Sequence, residues 1–281
     1  MVSPAQRRAV AAWAQDRYRV TERRACRALC INRALLRYRS VKPADTAIRQ
    51  RLHELAAARP SYGMRRLHIL LRRDGLRINL KKVRRLYLEE GLQLKPRRRR
   101  RRASTVRLVR SAPQRPNERW AMDFMHDVLA TGQTVRVFTL IDVFSRECVA
   151  LAAARRFTSH DVARILSDAG AARGMLPQLI QCDNSTEFTA SALDHWAYWN
   201  KVQLDFSRPG KPVDNSVCEA FNGSLRRECL TRHWFASLEE ANAVLRIWKD
   251  EYNNDRPHRS LGQQPPAHYR VGGAFMPRAA S

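Results

Sequence analysis

Three acidic side chains lie in distinctive local sequences and could act together: Asp123, Asp183 and Glu219. Carboxylates are hard oxygen ligands of the kind that Mg²⁺ prefers. Three of them brought together can hold two ions about 3.5–4 Å apart, which clamps the attacking and leaving oxygens of an in-line phosphoryl displacement. These residues therefore predict a two-ion site for Mg²⁺ or Mn²⁺ that cuts and joins nucleic acid.

The sequences around these acids are more specific than their spacing. An Asp–Glu pair with 35 residues between its members arises often by chance in a chain with 26 acidic residues. Four motifs follow one another along the chain: Thr139-Leu-Ile-Asp-Val-Phe-Ser-Arg146, Asp183-Asn-Ser-Thr-Glu-Phe188, Ser207-Arg-Pro-Gly-Lys-Pro-Val-Asp-Asn215 and Tyr252-Asn-Asn-Asp-Arg-Pro-His-Arg-Ser-Leu261. With the acids, they resemble the bacterial insertion-sequence transposases of the OrfB type, within the DDE transposase and retroviral-integrase superfamily. The resemblance covers nearly the whole chain.

The resemblance implies that Asp123, Asp183 and Glu219 are the catalytic, metal-binding DDE triad. It implies hydrolysis of a phosphodiester at an element end, which frees a 3′-hydroxyl. That hydroxyl then attacks another DNA strand in line, without a covalent protein intermediate. We therefore expect a transposase that carries out DNA cleavage and strand transfer.

Positive charge is concentrated in the first part of the chain. Residues 1–110 hold 32 Lys and Arg against 7 acids, and residues 111–281 hold 20 against 19, so +25 and +1 make up the net +26. Such a division is typical of one part that grips a phosphate backbone and another that does chemistry. Only 7 of the 52 basic residues are Lys, and guanidinium groups pair well with phosphate. We expect double-stranded DNA as the partner.

Composition limits the class of protein. The 281 residues, 44% of them hydrophobic, are enough for one large or two ordinary domains. No run of 18 or more apolar residues suggests a membrane span, and the N-terminus lacks the apolar core of a signal peptide. The six scattered cysteines are typical of reduced thiols in a cytoplasm. These features favour a cytoplasmic protein, and the resemblance implies a bacterial one that associates with the nucleoid.

The first 42 residues read as a helical, helix-turn-helix-like segment. Val10 and Trp13 share one face of a first helix that ends near Tyr18. Thr21 and Asn32 can cap two short helices after it.

Residues 43–95 read as a helix-turn-helix DNA-binding domain. Its last helix follows the cap residue Asn79 and stops at Gly91. Leu80, Val83, Leu86 and Tyr87 are predicted to point inward. The opposite face carries Lys81, Lys82, Arg84 and Arg85. This face is predicted to enter a major groove, and a solvated surface without DNA contact is the alternative.

Residues 96–115 form an Arg-rich linker in this interpretation. Six consecutive arginines repel one another, so the run is expected to be disordered in isolation. Because it lies between the helical domain and the first strand, we expect it to lie along phosphates, with a solvated linker as the alternative. They are Arg97, Arg98, Arg99, Arg100, Arg101 and Arg102.

Residues 116–276 are predicted to be the integrase catalytic domain, an α/β fold of the RNase H-like type that the resemblance implies. Asp123 would lie within the first strand and Asp183 just after the fourth, with these two strands central and adjacent. Glu219 would close the site from a helix. The predicted strands span residues 120–128, 134–142, 148–153, 179–182 and 202–207, and the predicted helices 159–172, 190–200 and 215–228.

Three polar residues near the triad are candidate DNA contacts. Asn184 would orient a carboxylate or a phosphate. Asn222 and Arg226 share the helix face of Glu219 at i+3 and i+7. Arg226 matches a basic position that the family places on DNA, although a salt bridge to Glu219 is the competing interpretation.

Several other residues have competing interpretations. Asp127 and Asp142 are acids that could cap or bridge instead of binding metal, and Trp196, Trp199, Trp248 and Tyr252 fit core positions better than base-stacking ones. Ser185 departs from the family, which usually has Gly after Asp-Asn. If the backbone there needs a positive φ, Ser would cost on the order of 1 kcal/mol.

Other classes of protein fit less well. Cys26, Cys30, His53 and His68 lack the spacing and order of a zinc module. No tyrosine stands in a recognisable recombinase constellation. A decayed DNA-binding partner or repressor of an active transposase remains the alternative function, and a plain RNase H-like nuclease is a third. The resemblance also implies an OrfA partner or frameshift fusion, and we expect a homo-oligomer in a synaptic complex.

Overall fold

The computed structural model describes residues 4–38, 45–95, 112–207 and 216–272. The chain divides into two compact units, residues 1–48 and 49–281. The six arginines at 97–102 of the predicted linker lie outside the described residues.

The first unit contains three helices, α1 (Pro4–Tyr18), α2 (Glu22–Ala28) and α3 (Arg33–Arg37). Both predicted caps are confirmed. The Thr21 side chain accepts a hydrogen bond from the Arg24 N–H at 3.4 Å, and the Asn32 side chain accepts one from the Ala34 N–H at 2.8 Å.

The buried contacts of this unit are made by small side chains. Ala11, Ala25 and Cys26 are at most 3% exposed. The face of α1 that carries Val10 and Trp13 is exposed instead, at 43% and 56%. Helices that meet through alanine approach closely, which leaves the larger residues of α1 outside the contact.

Helices α4 (Thr46–Ala58), α5 (Met64–Arg73) and α6 (Leu80–Glu89) follow the predicted pattern. The Asn79 side chain caps α6 by accepting from the Lys81 N–H at 2.8 Å, and Gly91 (φ +68°) ends it in the left-handed region. The prediction that Leu80 points inward is wrong. Leu80 is 38% exposed because it is the first residue of the helix. The buried residues of these helices are Leu52, Leu55, Leu67, Leu70, Leu71, Val83, Leu86 and Tyr87.

A five-stranded mixed sheet forms the centre of the second unit, with strand order β3-β2-β1-β4-β5. Strands β1, β2 and β3 are antiparallel neighbours, whereas β1–β4 and β4–β5 are parallel. The parallel pairing of β1 with β4 needs a crossover connection, and the helix between β3 and β4 provides it. The strands are β1 (Arg119–Val128), β2 (Thr134–Asp142), β3 (Cys148–Ala154), β4 (Leu179–Cys182) and β5 (Gln203–Phe206).

Helices cover both faces of this sheet, so β1 is buried on both sides. Ala121 and Met125 pack in one apolar cluster with residues of α9 and α10, and Trp120 and Met122 pack in the other with residues of α7 and α8. The helices are α7 (Ser159–Arg173), α8 (Ser191–Trp199), α9 (Ser216–Glu228), α10 (Leu238–Asn254) and α11 (Pro266–Arg270).

The predicted core aromatics divide by position. Trp248 and Tyr252 are buried, and Trp196 packs against the core, as predicted. The prediction that Trp199 is a core residue is wrong. Trp199 is 80% exposed because it ends α8, just before the chain turns into β5.

All six cysteines are free, and Cys30 alone among them is exposed. Burial raises the pKa of the Cys148, Cys182 and Cys229 thiols to about 12, so these groups stay protonated. Within the described part of the chain, no helix is long and apolar enough to cross a membrane.

Candidate active site

Asp123 lies in the middle of the central strand β1. Its Oδ1 accepts a hydrogen bond from the Phe124 N–H, and its Oδ2 accepts one from Asn222 Nδ2, each at 2.8 Å. Burial first, and then the nearby carboxylates of Asp183 and Glu219, raise the pKa of this carboxyl to about 6. The three predicted acids are therefore close enough to interact electrostatically.

Asp183 is the residue directly after β4. Strands β1 and β4 pair in parallel with Ala121 opposite Gln181. Continuing that register by two residues sets Asp183 level with Asp123. Asp183 Oδ1 accepts a hydrogen bond from the Ser185 N–H at 3.0 Å, which holds the carboxylate at the end of the strand.

Glu219 lies in the first turn of α9 and is exposed. Two later residues on the same helix fasten it to β1. Asn222 holds Asp123, and Arg226 Nη2 donates to the His126 carbonyl at 2.6 Å. Arg226 Nη1 also lies 3.7 Å from Asp127 Oδ1. In the described part of the chain Arg226 thus pairs with β1, and the competing salt bridge to Glu219 does not form.

The chemistry of the donor set fits a hard divalent cation. The carboxylates of Asp183 and Glu219 raise the pKa of a third, that of Asp123, and repulsion of this kind is what a cation removes. The side chains stand apart, however: among the described residues no three His, Cys, Asp or Glu groups are close enough to hold one ion. Asn222 Oδ1, beside Asp123, is buried without a hydrogen-bond partner.

The other predicted site residues have clear structural places. Asn184 Nδ2 donates to the Ser207 carbonyl at 2.7 Å, which joins the ends of β4 and β5. On α6, Lys81, Arg84 and Arg85 are exposed and Lys82 is half-buried. Residues 97–102 lie outside the described part of the chain.

Asp142, an alternative acid in the sequence, has a structural role. It is fully buried and accepts hydrogen bonds from the Asn117 N–H at 2.6 Å and from the Ser145 N–H and Oγ at 2.7 and 2.9 Å. This carboxylate therefore organises the turn after β2.

The sequence did not predict the aromatic and ionic contacts that pack around Phe124, the neighbour of Asp123. The Phe124 ring stacks on Phe188 with centroids 4.9 Å apart, and the Arg136 guanidinium lies 4.0 Å from the Phe124 centroid. Arg136 also forms an ion pair with Glu187. Both Glu187 and Phe188 belong to the motif that begins at Asp183, which was the available signal.

Family models match three segments of the chain. An integrase core domain (rve) matches residues 113–212, a second integrase core domain (rve_3) matches residues 200–266, and an HTH-like domain matches residues 43–100. The solved intasome of simian T-cell lymphotropic virus, in complex with a PP2A regulatory subunit, has a chain that aligns at a TM-score of 0.50 and 16% identity. That alignment covers 82% of this chain and 77% of the other, and it shows a shared fold. The fold is that of an integrase catalytic core, of the RNase H-like type, preceded by a helix-turn-helix-like domain.

Relatives at the sequence level come from bacterial insertion elements. An uncharacterized 31.7 kDa protein of insertion element IS407 from Burkholderia multivorans is 39% identical over 91% of this chain and 92% of its own length. A 39.2 kDa protein of IS476 from Xanthomonas euvesicatoria is 39% identical over 89% of this chain and 72% of its own. A protein of Escherichia coli that carries the name transposase InsK, for insertion sequence element IS150, is 26% identical over 78% of this chain and 81% of its own. This chain belongs to the insertion-sequence transposases of the OrfB type.

Proposed function

We propose that this protein transposes an insertion sequence by divalent-metal-dependent DNA cleavage and strand transfer, with Asp123, Asp183 and Glu219 as its DDE triad. The observation that carries the proposal is the electrostatic effect of Asp183, at the end of β4, and of Glu219, on α9, on Asp123 in β1. Among the described residues, Asp183 and Glu219 are the acids whose charges raise the pKa of Asp123.

The same three carboxylates would hold two Mg²⁺ or Mn²⁺ ions. When bound, such ions stabilise the attacking and leaving oxygens of an in-line displacement. Backbone and side-chain groups of this protein orient two of the acids. The Phe124 N–H and Asn222 fix both oxygens of Asp123, and the Ser185 N–H fixes one oxygen of Asp183. Asp123 and Asp183 are thus oriented before DNA binds.

DNA would be held by basic groups away from the acids. Lys81, Lys82, Arg84 and Arg85 lie on the outer face of α6, where they would meet a major groove. Arg226 is 43% exposed in its side chain and would contact the strand beside Glu219, as would the exposed Asn184. Asn222, which is 9% exposed and bonded to Asp123, would act on the strand through that carboxylate. The arginines at 97–102 would follow phosphates between the two domains.

The domain organisation belongs to the same proposal. We place a helical segment at 1–42, the helix-turn-helix domain at 43–95, a linker at 96–115 and the catalytic domain at 116–276. Matches of an HTH-like domain at 43–100 and of integrase cores at 113–266 support it. We further propose a homo-oligomer that synapses two DNA ends in the bacterial cytoplasm at the nucleoid, with an OrfA partner or fusion.

The first experiment measures strand transfer on a labelled duplex that carries the element's end, with and without Mg²⁺. Wild type, Glu219→Gln and Asp183→Asn are compared with Asp168→Asn as a matched control, because Asp168 is an exposed acid of α7. Joined product is expected from wild type and the control only, while all four proteins bind DNA. Catalysis by Asp183→Asn would refute the triad.

A wild-type protein that binds the duplex without cutting it gives a different result. Added OrfA then distinguishes two cases. Restored cleavage shows that the chain needs its partner frame, and continued inactivity supports the alternative of a decayed DNA-binding partner or repressor.

A further inference from the structure

Trp234 has the most exposed large apolar side chain in the described part of the chain, at 86%. It follows α9 and a single 3₁₀ turn (Leu230–Arg232), and it precedes α10. An indole left in water forgoes the stabilisation that burial of an aromatic side chain brings, and tryptophan is enriched where proteins meet their partners. Trp234 is therefore a candidate contact residue.

The backbone on either side of Trp234 is held in place. Phe235 is 2% exposed in the apolar cluster that β1 shares with α9 and α10, and its carbonyl accepts a hydrogen bond from the Ala130 N–H at 2.8 Å. His233 Nδ1 donates to the Cys229 carbonyl at 2.9 Å, and the His233 ring stacks on Phe235 with centroids 5.9 Å apart. A side chain on such a fixed turn loses little conformational entropy when a partner binds.

The turn lies in line with the proposed triad, because α9 follows β1 in the same direction. Asn222, early in the helix, bonds to Asp123, and Arg226, one turn later, bonds to the His126 carbonyl. Ala130, which anchors the turn, comes seven residues after Asp123. At about 3.3 Å per extended residue, the turn is roughly 20 Å from Asp123. Duplex DNA rises about 3.4 Å per base pair, so about six base pairs span this distance.

Exposed basic side chains lie between the triad and the indole. Arg227 is in the last turn of α9 and Arg232 ends the 3₁₀ turn, and both are exposed. The acids that follow, Glu239 and Glu240, accept hydrogen bonds from backbone N–H groups at the start of α10. An aromatic ring flanked by guanidinium groups suits DNA, whose interfaces with proteins are strongly positive on the protein side.

We propose that Trp234 contacts a DNA duplex about six base pairs from the phosphodiester at the triad. The indole lies against the sugars and base edges of a groove, and Arg227 and Arg232 contact the flanking phosphates. The inference rests on the proposed function, because the distance is counted from the proposed triad. The duplex is the element end or the target DNA, which share this chemistry. The contact would hold the DNA along α9 and keep the phosphodiester at Glu219.

The test is photochemical cross-linking of full-length protein, which also carries Glu219→Gln so that DNA is bound without being cut. p-Azidophenylalanine replaces Trp234 in one protein and Trp199 in the control. Trp199 is similarly exposed, at 80%, but it ends α8, which packs on the other face of the sheet. The probe is a branched duplex that mimics the joined product, with the element-end arm and the target arm labelled separately.

We expect the azide at position 234 to cross-link about six base pairs from the junction, in one arm, which identifies the source of the duplex. The control should give no cross-link to DNA. Cross-links only to a second copy of the protein, none at all, or cross-links to DNA far from the expected position would overturn the proposal. Cross-linking needs no catalysis, so its outcome is separate from that of the strand-transfer assay.

Affinity for the same branched duplex gives a second measurement. Trp234→Ala should weaken binding by about fivefold or more, and Trp199→Ala should leave it unchanged. The slope of log K against log salt should stay the same in Trp234→Ala, because an indole displaces no counterions, whereas Arg232→Ala should reduce its magnitude by about 0.9.

Two further measurements separate this contact from a structural role. Trp234→Phe should keep most of the affinity, because it retains a flat ring. Urea unfolding of Trp234→Ala should match wild type, because the side chain is exposed. Equal DNA affinity of Trp234→Ala and wild type would overturn the proposal even if strand transfer itself is confirmed.

Discussion

At the scale of single residues, Asp123 is a carboxyl whose ionisation the fold opposes. The pKa of its carboxyl rises from the usual 3.8 to about 6, first because of burial and then because two other acids lie nearby. The folded chain therefore binds this proton more tightly than the unfolded chain. The free energy of unfolding should fall as pH rises from about 4 to about 6, and the loss persists above that range.

Asp123→Asn should remove this loss. At pH 7 in EDTA we expect the variant to be more stable than wild type by on the order of 2 kcal/mol. The new amide could also donate to the buried Asn222 Oδ1, which has no partner. Urea unfolding at pH 4, 5, 6 and 7 measures the effect, and the two proteins should converge toward pH 4.

Mg²⁺ provides the control for this prediction. It should raise the melting temperature of wild type and leave that of Asp123→Asn unchanged, because ions stabilise only the state that binds them. A pH-independent difference between the proteins would show that Asp123 carries no such penalty.

Ser185 tests whether the departure from the usual glycine matters. The residue does not adopt a positive φ, so its side chain brings no backbone strain. We expect Ser185→Gly to keep strand transfer within about threefold of wild type and to lose about 0.5–1 kcal/mol of stability to backbone entropy. Initial rates of joining and urea unfolding measure these two effects. A hundredfold gain of activity in Ser185→Gly would contradict this prediction and would mean that the natural serine impairs the enzyme.

Ser185→Ala is the companion variant. The Ser185 Oγ is buried without a hydrogen-bond partner, so its removal should be neutral or stabilising by about 1 kcal/mol.

The sequence identified the acids but not their partners. The motif around each acid, read through the family resemblance, indicated Asp123, Asp183 and Glu219. Helical spacing placed Asn222 and Arg226 on the face of Glu219. That Asn222 holds Asp123, and that Arg226 meets Asp127, depends on how α9 lies on β1. Such docking is long-range and has no local signal.

At the scale of elements, a buried ion network holds the far end of α9. Arg256 donates to both oxygens of Glu228 at 2.7 and 2.8 Å and to Ser224 Oγ at 3.2 Å. Arg66 of α5 donates to Glu228 at 3.2 Å. The network therefore joins the helix-turn-helix-like domain to the helix that carries Glu219.

Removing one partner from this network should be costly. Glu228→Leu leaves Arg256, which is 4% exposed, as an uncompensated charge, and we expect a loss of about 3–5 kcal/mol. Glu228→Leu with Arg256→Met should recover most of it, because neither charge then remains buried. Urea unfolding of both single variants and the double variant gives the coupling energy. Additive losses would contradict the network.

Element boundaries followed local pattern closely. β2 and β4 have the predicted bounds, whereas β5 is shorter by one residue at each end because the pattern does not show where pairing stops. Helix α10 was not predicted, although Ala241, Leu245, Trp248 and Tyr252 recur at helical spacing. The parallel pairing of β1 with β4 came from the resemblance, since spacing along the chain does not determine which strands become neighbours.

At the scale of the whole molecule, the residues before Asp45 contribute +9 of the net charge of +26. Residues 1–44 hold 11 Lys and Arg against 2 acids, a net of +9. A chain that begins at Asp45 should bind DNA more weakly, and its log K should fall less steeply with log salt, by about 0.9 for each phosphate that the shortened chain no longer neutralises. Fluorescence anisotropy between about 50 and 200 mM KCl, a range chosen to span this effect, measures the slope.

Calorimetry is the control for that truncation. The second unit should melt as it does in the full chain, because residues 49–281 form a compact unit of their own. An unchanged salt slope would mean that the first unit does not bind phosphate.

The distribution of thiols has a practical consequence. Five cysteines are buried, and Cys30 is exposed in the first unit. A maleimide dye added to the native protein should therefore react at one position, outside the catalytic domain, without any cysteine being mutated. A fluorophore at Cys30, paired with an acceptor on the DNA, would let single-molecule energy transfer follow the N-terminal helices as the ends of an element are brought together.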